Sequence, residues 1–245
     1  MTETAGTVAV VVGVGPSAGL GAALCRKFAR EGFTVFASGR TEADLAKVAG
    51  EIDAAGGRAE PVVADTTQAA DVARLFETAA AAGDIEIVAY NAGNNNARPL
   101  LEMDPDFFES VWRVSCFGGF LVGHEAIRRM LPRERGTILF TGATASLKAR
   151  PPFTAFASGK AGLRALAQGM AREFGPQGIH VGHVVIDGMI EGDKILKRYP
   201  EIAERLGEDG LLGTEAIAEA YWLLHQQPRS AWTHEIDLRP FKETF

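Results

Sequence analysis

The chain is poor in the residues that mark secreted, metal-bound or membrane-embedded proteins. Cysteine occurs twice, at Cys25 and Cys116, each inside an apolar helical pattern. Two isolated cysteines make no disulfide framework and fit small buried hydrophobes in a reducing compartment. No CxxC and no His/Cys cluster is present, so no metal site is expected. No apolar run approaches the roughly 20 residues of a membrane span. The opening MTETAGTV has an acid and no basic stretch, which argues against a secretory leader. An excess of positive charge is also missing, because 25 basic residues face 31 acidic ones for a net −6. That balance speaks against nucleic acid or an anionic membrane as a partner. The densest basic stretch, RRMLPRERG at 128–136, is interrupted by Glu134 and reads as a solvated helix end and loop. A soluble protein of the cytoplasm is the expectation.

What is present is an ordinary globular composition, 47% hydrophobic and 23% charged over 245 residues. That length fits one α/β domain over residues 1–245. Strand-like and helix-like patterns alternate from end to end. Apolar, β-branched runs at 7–15, 33–40, 58–65, 85–93, 136–143, 179–188 and 234–238 read as strands. Helical patterns at 19–32, 41–57, 67–83, 105–130, 153–175 and from Thr214 to Gln226 separate them. Asp104 reads as an N-cap with Pro105 in the first turn. Near-continuous apolar strands joined by helices mean a parallel sheet covered on both faces. The spacing therefore predicts a doubly wound α/β sheet of about seven strands in three layers, with its cleft past the carboxyl ends of the strands.

The strand-end loops carry the candidate chemistry. GVGPSAGLG (13–21) joins the first strand to the first helix. Two glycine registers overlap there, Gly13-x-Gly15-x-x-Ala18 and Gly15-x3-Gly19-x-Gly21. Either lets the backbone approach a pyrophosphate at a helix N-terminus. The second strand ends in Ser38-Gly39-Arg40, and an arginine there suits a ribose 2′-phosphate where a carboxylate would suit the 2′-hydroxyl. Asp65, ending the third strand, can accept from an adenine amino group or cap the next helix. Asn91-Ala92-Gly93 ends the fourth strand with small residues that let the chain pass close to an adenosine ribose.

In order and position, the Gly15/Gly19/Gly21 turn, Asp65, the Asn91-Ala92-Gly93 triplet and Lys160 resemble the short-chain dehydrogenase/reductase family over nearly the whole chain. The resemblance implies a Rossmann-type sheet, NADP as cofactor with NAD as the alternative, and a homodimer or homotetramer assembled through helices 105–130 and 153–175. The cofactor contacts it implies are Gly15, Ser17, Gly19, Leu20, Gly21, Arg40, Asp65, Asn91, Ala92, Gly93, Lys160 and Ile190. The family's catalytic set is Asn, Ser, Tyr and Lys, and here the correspondence fails. The Tyr-x3-Lys motif falls on Phe156-Ala157-Ser158-Gly159-Lys160, and the serine falls on Ala143. The asparagine falls on Ser115, and the longer Tyr-x6-Lys spacing of the enoyl-reductase branch falls on Phe153. The family's Pro-Gly turn after the sixth strand is Asp187-Gly188 here. Lys160 and Ser115 are the catalytic residues left to the site, with Lys160 shifted toward holding the cofactor.

The expected function is an NADP(H)-dependent oxidoreductase acting on a small, fairly apolar molecule through a non-standard active site. The alternative is a catalytically impaired NADP-binding subunit or sensor of the same fold. Thr141, Thr144, His183, Asp187 and Tyr199 lie in or near the cleft loops and could compensate for the missing hydroxyls. Residues 189–212, with Ile195, Leu196, Tyr199, Ile202 and Leu206 in a helical apolar stripe, would cover the substrate.

Overall fold

β1 (Gly6–Val12) explains the layering by itself. Val8, Val10 and Val12 enter one core while Ala9 and Val11 enter another, so the strand is buried on both faces. The computed structural model describes residues 6–93 and 95–243. Its main sheet has seven parallel strands in the order β3 (Arg58–Val63), β2 (Thr34–Gly39), β1, β4 (Gly83–Tyr90), β5 (Gly136–Thr141), β6 (Ile179–Ile186) and β9 (Glu235–Leu238). The order reverses between β1 and β4, which puts the cleft at their carboxyl ends.

Helices α1 (Leu20–Arg30), α2 (Glu42–Ala54) and α9 (Thr214–His225) cover one face. In α1 the four-residue spacing of Leu20, Leu24 and Phe28 becomes one buried stripe. Helices α3 (Ala69–Ala82), α5 (Gly118–Met130) and α6 (Thr154–Phe174) cover the other face, supplying Phe76, Val122, Met130 and Leu163 to its core.

The structure corrects the expected boundaries in three places. The strands stop two or three residues early, at Val12, Tyr90 and Thr141, so Gly13–Gly15, Asn91–Gly93 and Gly142–Ala143 belong to loops. At the end of β1, Gly13 takes φ +93° and turns the chain out of the strand.

The helix expected over 105–130 is α4 (Pro105–Trp112) joined to α5 through a π turn at Arg113–Phe117. Asp104 caps its start by accepting from the Phe107 N–H at 2.7 Å. A π turn loosens the helical ladder, and the Tyr90 hydroxyl donates to the Val114 carbonyl within it.

The expected cover is two short helices, α7 (Asp193–Arg198) and α8 (Pro200–Leu206). They break at Tyr199 because Pro200 disfavours helical backbone in the residue before it. The apolar stripe is therefore interrupted. Strands β7 (Ile190–Glu191) and β8 (Leu212–Gly213) pair with each other and close the base of this segment.

Candidate functional site

The glycine turn is shaped by three different needs. A Cβ on Gly13 would stand 2.4 Å from the Ala92 nitrogen, and one on Gly21 would stand 2.7 Å from the Gly13 carbonyl oxygen. These two glycines let β1, α1 and the end of β4 close on one another. A Cβ on Gly15 would meet nothing within 4 Å, so Gly15 leaves the mouth of the turn open. Gly19 precedes α1 with no side-chain cap, and the first turn of α1 holds no acid. Unpaired N–H groups and the positive dipole end face this opening, which is what a pyrophosphate requires. The residues present thus fit a dinucleotide.

The other expected cofactor residues fall around this turn. Leu20 is buried and serves the core with its side chain. The Ser17 hydroxyl donates to Glu51, and the Ser17 carbonyl accepts from Arg26 at 2.8 Å, which ties the turn to α1 and α2. A groove of about 700 Å³ runs along this outer side, between the turn, Lys47 of α2 and Lys197 of α7. Its charges balance, with Arg26, Lys47 and Lys197 against Asp44, Glu51 and Asp193.

Arg40 is exposed just past β2. Asp65 uses Oδ1 to accept from the backbone N–H (2.9 Å) and hydroxyl (2.8 Å) of Thr67, so it shapes the approach to α3. Asn91 sends Nδ2 to the Gly13 carbonyl at 3.1 Å, and Ala92 and Gly93 follow it. Ile190 lies in β7, and a Cβ on Gly192 would stand 3.3 Å from the Ala18 carbonyl oxygen, so this segment rests on the glycine turn.

Lys160 sits where the ends of β4 and β5 meet α6. It is 3% exposed, and its Nζ donates to the Thr141 carbonyl at 2.7 Å. A Cβ on Gly93 would stand 3.3 Å from Nζ, and the Phe156 ring centroid lies 5.7 Å away. Burial alone moves this ammonium, pushing its pKa down to about 8. A buried chain backs it. The Tyr221 hydroxyl lies 2.6 Å from Thr141 Oγ1, and Thr141 Oγ1 donates to Asn91 Oδ1 at 3.2 Å. Burial also raises the Tyr221 pKa, so its proton stays in place.

Phe156, Phe153 and Ala143 are half-buried, and the Phe156 ring is set against this lysine. Ser115 packs against the helix that carries Lys160. It lies in the π turn, fully buried with no hydrogen-bond partner for Oγ, and its Cβ would be 2.6 Å from a Cβ on Gly159.

Behind Ala143 stands a cluster that the sequence revealed only in its histidine. His183 is fully buried on β6, with Nδ1 2.9 Å from Glu235 Oε2 on β9. Arg164 of α6 grips Glu235 with two bonds, at 2.6 and 2.7 Å. Those bonds hold the Glu235 carboxyl down at about pH 2. Desolvation pushes the His183 pKa down to about 4 despite this neighbour, so the ring is neutral and donates Nδ1–H to Glu235. Its Nε2 then faces the Ser146 hydroxyl at 3.4 Å, and Ser146 Oγ accepts from the Ala143 N–H at 3.1 Å. Glu235 is reached only because β9 pairs beside β6 in the register that sets it opposite His183. Nothing in local spacing announces that.

The family model of short chain dehydrogenases matches residues 7–197. A short-chain dehydrogenase from Rhodopseudomonas palustris is 42% identical in its crystal structure, with a TM-score of 0.83 over 96% of this chain and 98% of that one. A metagenomic short-chain oxidoreductase solved in complex with NADP is 26% identical, with a TM-score of 0.82 over 97% and 98%. An uncharacterized oxidoreductase of Bacillus subtilis is 38% identical over 185 residues, 74% of this chain, and the match spans 27% of that longer protein.

Proposed function

Because this chain belongs to the short chain dehydrogenase family, we propose that it is an NADP(H)-dependent oxidoreductase whose active site works without the family's phenol. The observation that carries the reading is the uncapped start of α1 behind the open Gly15, with buried Lys160 across the strand ends. The glycine turn would hold the pyrophosphate, Arg40 the 2′-phosphate, Asp65 the adenine, and Asn91–Gly93 with Lys160 the ribose hydroxyls. Ile190 would line the nicotinamide side. The bound dinucleotide would supply or accept hydride. Leu100, Leu101, Leu147 and Met189 are exposed on the loops after β4, β5 and β6, and they favour a fairly apolar substrate.

The proposed organisation is one domain over residues 1–245, supported by the pairing of the last strand, β9, with β6. No helix among the described residues is long and apolar enough to cross a membrane. The two free buried cysteines favour the cytoplasm. An exposed aromatic face on α4 and α5, formed by Phe108, Trp112 and Phe120, supports a homodimer or homotetramer.

Calorimetric titration with NADPH and NADH tests the reading. The expectation is at least tenfold tighter NADPH binding, with Arg40→Asp reversing the preference. Equal affinities would remove the role of Arg40, and binding of neither would remove the cofactor. The second reading, a catalytically impaired NADP-binding subunit or sensor, is favoured by Phe156 and Ala143. It predicts NADPH binding with no turnover of any acceptor.

A further inference from the structure

Among the described residues the hydroxyls around Phe156 and Ala143 are engaged within the protein, and the unpartnered Ser115 hydroxyl is fully buried. Thr144 donates to Asp187 Oδ1 at 2.5 Å. Ser146 is engaged by His183 and the Ala143 N–H. Thr141 lies between Tyr221 and Asn91, and Ser158 donates to the Ala155 carbonyl at 3.1 Å. Thr154 is exposed two residues from Phe156, and residues so spaced do not share a helix face. It lines a groove of about 260 Å³ that it shares with Ser146 and Ser158, whose hydroxyls are engaged as above. Of the three phenols, Tyr90 and Tyr221 are fully buried and bonded elsewhere, and Tyr199 ends α7 with a contact of its own. The Lys160 ammonium is turned to the Thr141 carbonyl and the Gly93 backbone.

An isolated ketone reduced here would become an alkoxide with no free hydroxyl, among the described residues, beside it to give a proton. A conjugated acceptor avoids that requirement. Resting on the oxidoreductase reading above, we infer that this site reduces the carbon–carbon double bond of α,β-unsaturated carbonyl compounds and discriminates against saturated ketones. Hydride from the reduced dinucleotide forms a bond to the β-carbon. The alkene π pair moves toward the carbonyl and gives an enolate, and the α-carbon then takes its proton from water. The dinucleotide is left oxidised and the substrate is a saturated ketone. The apolar surfaces of Ala143 and Phe156 suit the delocalised enolate, which needs no local acid.

A matched pair of compounds tests this. Trans-4-phenylbut-3-en-2-one and 4-phenylbutan-2-one differ by one double bond, and the second is the expected product of the first. With NADPH, the enone should turn over with at least a hundredfold higher kcat/KM, since general acid help is typically worth about 10²–10⁴ in rate. NADPH deuterated at the transferred position should label the carbon β to the carbonyl. Calorimetry should give the two compounds dissociation constants within threefold, which places the discrimination in the chemistry. Phe156→Tyr with Ala143→Ser should raise saturated-ketone turnover at least tenfold.

Comparable turnover of the saturated ketone or reduction to the allylic alcohol would overturn the inference and leave the oxidoreductase reading standing. NADPH binding with no turnover of either compound would overturn both and favour the impaired subunit.

Discussion

Lys160 shows what burial without a charged partner does to an ammonium. An ammonium inside a protein needs a partner or loses its proton more readily. Among the described residues no carboxylate pairs with Lys160, and Phe156 offers it only a ring. Its pKa is therefore depressed to about 8 in the folded chain, against 10.5 as the ordinary value. The unfolded chain binds more protons between these values, so stability rises as pH climbs through that window and is lowest below about 8. Lys160→Met should raise the stability of the cofactor-free protein at pH 7 by about 3 kcal/mol, from roughly 1.36 kcal/mol per pKa unit. It should also weaken NADPH binding at least tenfold. Urea unfolding at pH 7 and pH 10 should show the advantage of the variant shrinking at the higher pH. An unchanged gap would mean that the folded lysine titrates normally.

At the scale of elements, the join between β6, β9 and α6 has a titratable pin. His183 and Glu235 face each other across the two strands, and Arg164 closes the join from the helix. His183 stays neutral down to about pH 4, whereas an unfolded histidine protonates near 6.5. The folded protein therefore loses about 3 kcal/mol as pH falls from 6.5 to 4. Glu235, depressed to about 2, contributes stability above pH 4.5 that disappears as pH falls toward 2. His183→Gln should flatten the first interval, read by urea midpoints at pH 7, 5.5 and 4.5. A wild-type profile that is flat over that interval would contradict the neutral imidazole. The π turn belongs to the same scale. A Cβ on Gly118 would stand 2.1 Å from Thr66 Oγ1, so close packing rather than helix propensity sets the shape of this helix.

For the whole molecule, the outer face of α4 and α5 bears on assembly. Trp112, Phe117 and Phe120 stack in series with centroids 6.5 and 6.1 Å apart, and Phe120 leads to His124 at 5.9 Å. An apolar surface of this kind is what an isologous dimer buries. Phe120→Glu should give monomers by light scattering, with far-ultraviolet circular dichroism unchanged. A wild-type protein that is already monomeric would leave this face without that role.

The sequence by itself determined the layer order and the glycine turn, because both are written in local periodicity and in glycine. Alternating apolar strands and amphipathic helices admit few arrangements, and GVGPSAGLG states its backbone requirement residue by residue. The sequence also set Phe156 and Ala143 where the family resemblance puts a tyrosine and a serine, by their spacing from Lys160. Only the tertiary structure decided what surrounds them. Ser115 was placed by counting along a helix, yet the burial of its hydroxyl without a partner, in the π turn and against Gly159, is visible only in the structure. Glu235 became the partner of His183 through strand register 52 residues away. That Thr141, Thr144 and Ser146 are engaged rather than free also depends on contacts distant in the chain. Backbone geometry follows from neighbours in sequence, whereas the availability of a proton follows from neighbours in space.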